Sequence, residues 1–332
     1  VTRPRALALI APLLVLALAL LSACGGDDGT SGTTAGTQRA EVILDWFPNA
    51  DHAGLLAARE RGYFREAGVE VTTTVPSDPA AALTQVAAGR APFALSYEPE
   101  VLLARARGIP VRAVGALVAQ PLNAVIARAD RGIRRPRDLE GRTVGIAGVP
   151  SDRPLLDAVV RADGGDPARV RTRTVGFTLA PALTAGRVDA IIGAYWNIEV
   201  PEIEARGVET VVMRLERHGV PTYDELVLVT SDRVARERPE LVRAVLAGLA
   251  RGQSWAAGDA DGAAALVAAA NPDLSRRVLP EQVRLTAPLL SRDLALLPAR
   301  WRTYADWMRR NGLLRGKVDV ARAADPSFLP SP

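Results

Sequence analysis

Two stretches of this sequence, AAGRAPFALSYEPEVLLARARGIPVRAVG (residues 87–115) and TAGRVDAIIGAYWNIEVPEIEARGVETVV (residues 184–212), follow one plan. Each reads as a helix end, Ala-Gly-Arg, a buried strand, a tyrosine, an acidic helix start, Ala-Arg-Gly and a further strand. The second copy holds two more residues between Ala-Gly-Arg and Ala-Arg-Gly. A chain that runs this plan twice is expected to hold two similar α/β lobes. Tyr97-Glu98 and Tyr195-Trp196 then fall at matching places, where the C-terminal end of a strand meets the next helix. In open α/β sheets that is where ligands bind.

Outward from the repeat, short apolar runs alternate with helical stretches. Strands are expected at 41–45, 69–75, 92–96, 111–118, 122–127, 142–147, 170–175, 188–193, 208–213 and 226–230. Asp78-Pro79 and Gly89 read as the start and stop of one helix, Thr178 and Gly186 of another, and Ser151 and Gly164 of a third with Pro154 in its first turn. After Ser231 the pattern turns helical, near 232–258, 260–270, 280–290 and 299–311, and these helices are expected to return over the first lobe. The division is then 40–120 plus 226–332 for lobe one and 121–225 for lobe two. Two crossings, near 119–122 and 221–226, make a hinge and leave a closable cleft.

The chain has 332 residues, 48% hydrophobic and 23% charged, ample for a packed core of two domains. Its formal charge is +4, but the arginines are interspersed with acids, so the basic balance does not argue for nucleic acid. Arg3 and Arg5 precede an apolar run from Ala6 to Leu21 that ends in Leu-Ser-Ala-Cys. This reads as an export signal over 1–23, with Cys24 as the lipidated first residue of the mature chain. Two or three acyl chains on Cys24 would hold the protein at the outer face of a membrane. Cys24 is the sole cysteine, so an intramolecular disulfide and a cysteine metal site are both excluded. Residues 24–39, rich in Gly and Thr, read as a flexible tether.

Common enzyme signatures (G-x-G-x-x-G, the P-loop, H-E-x-x-H and G-x-S-x-G) are absent from the sequence. No cofactor and no metal are expected. Of the two histidines, His218 sits in a Gly/Pro-flanked loop and reads as surface. His52 belongs to LDWFPNADHAG, residues 44–54, a strand-to-helix turn in which Asp51 or Asn49 can cap the helix. Packing alone explains Trp46, but it does not explain Asp45, Asn49 and His52 beside it. A planar polar ligand needs both aromatic faces and fixed donors and acceptors.

The stretch from LDWFPNADHAG to VEV at 69–71, with SYEPE (96–100) and GRTVGIAG (141–148), resembles one family. These are the formylaminopyrimidine-type substrate-binding lipoproteins of thiamine-related ABC importers, which are related to the pyrimidine-precursor synthases of thiamine biosynthesis. The resemblance covers roughly residues 40–260, and D-W-x-P-N-x-D-H (45–52) carries it most specifically. It implies a periplasmic-binding-protein type II fold. It also implies that Asp45, Trp46, Asn49, His52, Tyr97 and Glu98 line the cleft from lobe one, and that Tyr195, Trp196, Asn197 and Glu199 close from lobe two. The loop Gly145–Asp152 matches the place where the synthases hold a phosphate, which makes Gly148, Ser151 and Asp152 a possible anion loop, although Pro150 removes one donor. The synthases carry a cysteine cluster linked to iron and consume a histidine matched by His52. This chain lacks the cluster and carries an export signal. The implied function is therefore uptake: a monomeric, lipid-anchored, extracytoplasmic protein that binds an aminopyrimidine thiamine precursor and serves a permease and its ATPase. The alternatives are a sulfonate, nitrate or riboflavin-like ligand on the same fold, a sensor role, or a synthase.

Overall fold

The computed structural model describes residues 37–330. The expected export signal, Cys24 and most of the expected tether lie outside the described residues. Ten strands form two five-stranded sheets. They are β1 (Gln38–Ile43), β2 (Val69–Thr74), β3 (Phe93–Ser96), β4 (Val111–Val118), β5 (Asn123–Arg128), β6 (Thr143–Ile146), β7 (Arg171–Thr174), β8 (Ala190–Tyr195), β9 (Thr210–Arg214) and β10 (Leu226–Ser231). All ten stand where the apolar runs predict strands, with shifted ends. β1 begins three residues early and takes in Gln38 and Arg39, expected in the tether. They pair with Val69 and Glu70, because a parallel neighbour satisfies the backbone of a polar stretch as well as that of an apolar one.

The sheets have the same strand order. The first runs β2-β1-β3-β10-β4 and the second β7-β6-β8-β5-β9. β3 and β8, the strands of the two repeats, are third in each. An antiparallel strand follows each of them: β10 beside β3, and β5 beside β8. The chain passes from the first sheet to the second between β4 and β5 and returns between β9 and β10. The repeat in the sequence is thus a repeat in the fold. β3 and β10 are buried at every position, as their unbroken apolar runs require of strands covered on both faces.

The helix Ala53–Glu60 lies against the helix Pro239–Ala256 at a crossing of two glycines. A Cβ on Gly252 would sit 2.1 Å from the carbonyl oxygen of Gly54, and one on Gly54 would sit 1.9 Å from Gln253 Oε1. This close approach, which only glycine permits, anchors the turn that precedes Gly54. Gln253 Nε2 then donates to Leu117 O at 2.7 Å, tying the helix to β4. The C-terminal helices do cover the first sheet, but the expected run 232–258 is broken at Arg238, because Pro239 cannot donate to a continuing helix. The helix Pro298–Arg310 packs Tyr304 on Tyr223 of the return crossing, with ring centroids 4.9 Å apart. The helix expected from Asp78 starts at Ala82, since Asp78 Oδ1 accepts from Ala80 N at 2.7 Å and closes a turn of its own. Among the described residues no helix is long and apolar enough to cross a membrane.

Candidate functional site

β1, β3, β6 and β8 all deliver their C-terminal ends to the gap between the sheets. β1 is followed there by Asp45 and Trp46, β3 by Tyr97, β6 by the loop 147–151, and β8 ends in Tyr195. Together with Asn123, Tyr223 and Glu225 from the crossings, these elements line a narrow inner cavity. Its walls include Trp46, Tyr97, Tyr195 and Tyr223, with Asn123, Ser151, Asp152 and Glu225 as the polar groups, and no Arg or Lys among them. The Tyr97 and Tyr195 rings, one from each repeat, meet edge to face at 6.3 Å and 80°.

The motif turn explains how Tyr97 is held. Asn49 Oδ1 accepts from Asp51 N at 2.9 Å, and Asn49 N–H donates to His52 Nδ1 at 3.1 Å. Nδ1 is thereby an acceptor, so Nε2 carries the proton and donates to Asp45 Oδ1 at 2.8 Å. Asp45 Oδ2 accepts the Tyr97 hydroxyl at 2.9 Å. The cap is Asn49; Asp51 instead accepts from Asn197 Nδ2 at 2.8 Å across the lobes. His52 is fully buried, and both its ring nitrogens are used inside the turn. His52 therefore stands behind the aromatic wall, and Asp45 joins it to Tyr97 while lining a second, smaller pocket beside Tyr97 and Glu100.

The other expected site residues divide. Trp46 lines the inner cavity and also an outer pocket, which Asn49 and Glu199 line too. Its ring meets Phe177 of the second lobe edge-on at 4.6 Å. Glu199 is buried and takes the Tyr195 N–H at 2.6 Å, and burial raises its carboxyl to about 8. Trp196 does not reach the inner cavity. Alternation along the end of β8 turns it to the opposite side from Tyr195, and the Arg214 guanidinium stacks on it at 3.7 Å. Asn197 is fully buried and donates to Asp51 and to Thr286 Oγ1. Glu98 points away from the cavity into the return crossing, where it accepts from Asp224 N at 2.7 Å; burial holds its carboxyl well above the usual range.

The loop expected to take an anion is already filled with carboxylates. Asp152 Oδ2 accepts from Gly148 N at 2.7 Å and Val149 N at 3.1 Å, and Glu100 Oε1 accepts from Ser151 N at 2.8 Å. The last bond also joins the two lobes. Burial, aided by the nearby Glu100 carboxylate, raises Asp152 to about 7.

Sequence reading passed over Asp224 and Glu225. Glu225 Oε2 accepts from Leu122 N (2.7 Å), Asn123 N (2.9 Å) and the Tyr223 hydroxyl (2.8 Å), so it stitches the two crossings together. Burial raises its carboxyl to about 7, against the opposing pull of the nearby Tyr195 hydroxyl. That hydroxyl is buried and makes no hydrogen bond of normal geometry among the described residues. Asp224 accepts from Trp301 Nε1 at 2.6 Å and pairs with Arg300. The readable signal was two adjacent acids at the mouth of a buried strand, at an expected crossing. Among the described residues, no group of three or more His, Cys, Asp or Glu is arranged to hold a metal ion.

The NMT1/THI5-like family profile matches residues 49–263. A formylaminopyrimidine-binding protein of Halalkalibacterium halodurans is 38% identical over 242 residues, 73% of each chain. A 4-amino-5-hydroxymethyl-2-methylpyrimidine phosphate synthase of Legionella pneumophila is 24% identical and covers 88% of this chain and 92% of its own. The alkanesulfonate-binding protein SsuA of Xanthomonas axonopodis pv. citri superposes with a TM-score of 0.70 at 17% identity, covering 87% of this chain and 99% of that one. Those matches and the paired sheets identify the chain as a member of the NMT1/THI5-like family with a periplasmic-binding-protein fold of two α/β lobes.

Proposed function

We propose that this protein is the extracytoplasmic binding component of an ABC importer, anchored through Cys24, and that it carries an aminopyrimidine thiamine precursor to the permease as a monomer. The observation that carries the reading is the inner cavity: four aromatic rings and two carboxyl groups around a gap whose lining holds no cation. A flat ring with amino and ring nitrogens fits such a lining. Trp46 offers a stacking face, and Glu225 Oε1 and Asp152 Oδ1 accept N–H groups. A charge-assisted hydrogen bond of this kind contributes about 1.5–3 kcal/mol and ring stacking about 0.5–1.5 kcal/mol. With apolar burial, a micromolar or tighter complex, about −8 kcal/mol, is within reach. Bonds between the lobes, Asn197 to Asp51 and Ser151 to Glu100, would form on closure, and the permease would read the closed state.

A binding role, rather than catalysis, is supported by His52, whose two ring nitrogens are engaged within the turn. A sulfonate or nitrate ligand would need donors where this cavity has acids. The test is a thermal-shift screen of the mature protein against formylaminopyrimidine, 4-amino-5-hydroxymethyl-2-methylpyrimidine, an alkanesulfonate, nitrate and riboflavin. Stabilisation by the pyrimidines is expected. Stabilisation by only one of the others overturns the reading.

A further inference from the structure

The loop between β6 and the helix Asp152–Ala162 has the form of an anion cradle: Gly148 at φ +100°, then the first turn of an eleven-residue helix. The backbone donors from Gly148 to Asp152 are all engaged. Gly148 and Val149 donate to Asp152, Pro150 has no N–H, Ser151 donates to Glu100, and Asp152 N donates to Val149 O. The second Asp152 oxygen, Oδ1, is buried at the inner cavity without a partner. Gly193 makes room for it, since a Cβ there would stand 2.9 Å from Oδ1.

We propose that Asp152 is the charge filter of the cleft: its carboxylate fills the donor cradle as a built-in anion, so the cavity accepts N–H groups at Oδ1 and rejects phosphate monoesters and other anionic ligands. This names the ligand class for the function proposed above and rests on it. An incoming phosphate would have to displace a tethered carboxylate that already holds two N–H groups, beside a second carboxylate on Glu100. A neutral or cationic ligand meets no such opposition.

The experiment is calorimetry at pH 8, where the Asp152 carboxyl is ionised, on the mature protein and on Asp152→Asn and Asp152→Ala, with three probes: 4-amino-5-hydroxymethyl-2-methylpyrimidine, its phosphate ester, and inorganic phosphate. The wild type is expected to bind the alcohol at least tenfold more tightly than the ester and not to bind phosphate. Asp152→Asn, which removes charge but keeps the shape, should narrow the alcohol-to-ester ratio by about tenfold. Asp152→Ala, which empties the cradle, should gain millimolar phosphate binding. Equal affinity of the wild type for alcohol and ester, or an unchanged ratio in both variants, overturns the proposal. If no form binds the alcohol, the functional reading fails on its own, and the phosphate arm still decides: phosphate taken up by Asp152→Ala supports the filter, and none refutes it. Melting curves of both variants establish that they fold.

Discussion

Replacing Glu225 by Gln tests the cavity chemistry most directly. The three bonds at Oε2 can all pass to the amide oxygen of glutamine, so the link between the crossings survives. What changes is the group facing the cavity, from a carboxylate oxygen that accepts to an NH₂ that donates. A ligand amine then loses one charge-assisted bond, about 1.5–3 kcal/mol, or roughly a tenfold to 150-fold rise in Kd. The pH profile gives a second reading. Burial raises Glu225 to about 7, and Asp152, on the same cavity, also to about 7. Below pH 7 both carboxyl groups of the free protein are protonated, and an N–H ligand must displace those protons. Wild-type affinity for formylaminopyrimidine should therefore rise from pH 6 to pH 8 and then level. In Glu225→Gln one proton leaves the linkage, and the rise becomes shallower. The assay is calorimetry at pH 6, 7 and 8, with melting curves alongside. An E225Q affinity within threefold of wild type at pH 8, on an equally stable protein, would refute the role given to Glu225.

Other outcomes follow from the same geometry. Trp46→Ala should weaken pyrimidine binding by at least tenfold while leaving the melting temperature nearly unchanged, because the half-buried ring lies on the gap; unchanged affinity by calorimetry removes it as a stacking face. Gly54→Ala forces a methyl to 1.9 Å from Gln253 Oε1 and should cost about 1–3 kcal/mol, read as a lower urea midpoint. Asp51 and Glu199 are raised by burial from 3.8 and 4.5 to about 7 and about 8. Their folded pKa values exceed the unfolded ones, so the folded state holds those protons more tightly. That stability is present below about pH 4 and is lost as pH rises through 7 and 8, up to about 4 kcal/mol per group. The protein should melt at a higher temperature at pH 5.5 than at pH 8.5, and Asp51→Asn should shrink the difference. An equal or lower melting point at pH 5.5 contradicts this.

The fold was legible because its signal is periodic. Ten apolar runs and one repeat are properties of many residues at once, and an error of two positions at the end of β1 or β8 leaves the order intact. The site was less legible because it depends on where single side chains turn. Trp196 and Tyr195 are neighbours in the chain, yet strand alternation sends one into the cavity and the other under Arg214. Glu98 and Tyr97 part in the same way at a helix start. His52 belongs to a polar cluster, but its partners Asp45 and Asn49 come from its own turn, so the cluster closes on itself. Glu225 was missed because its partners, Leu122 and Asn123, lie about a hundred positions earlier in the sequence.

The shared strand order has a consequence for how the chain is made. β3 and β4 have no ladder with each other; both wait for β10 to come between them. As the chain emerges N-terminus first, all of the second lobe is out before Leu226–Ser231, while Phe93–Ser96, wholly buried in the finished sheet, keeps one edge unsatisfied. An open apolar edge of that kind invites pairing with other chains. The interval between synthesis of the two strands is therefore when this protein most needs a chaperone, and the last strand to arrive is the one that ends the danger.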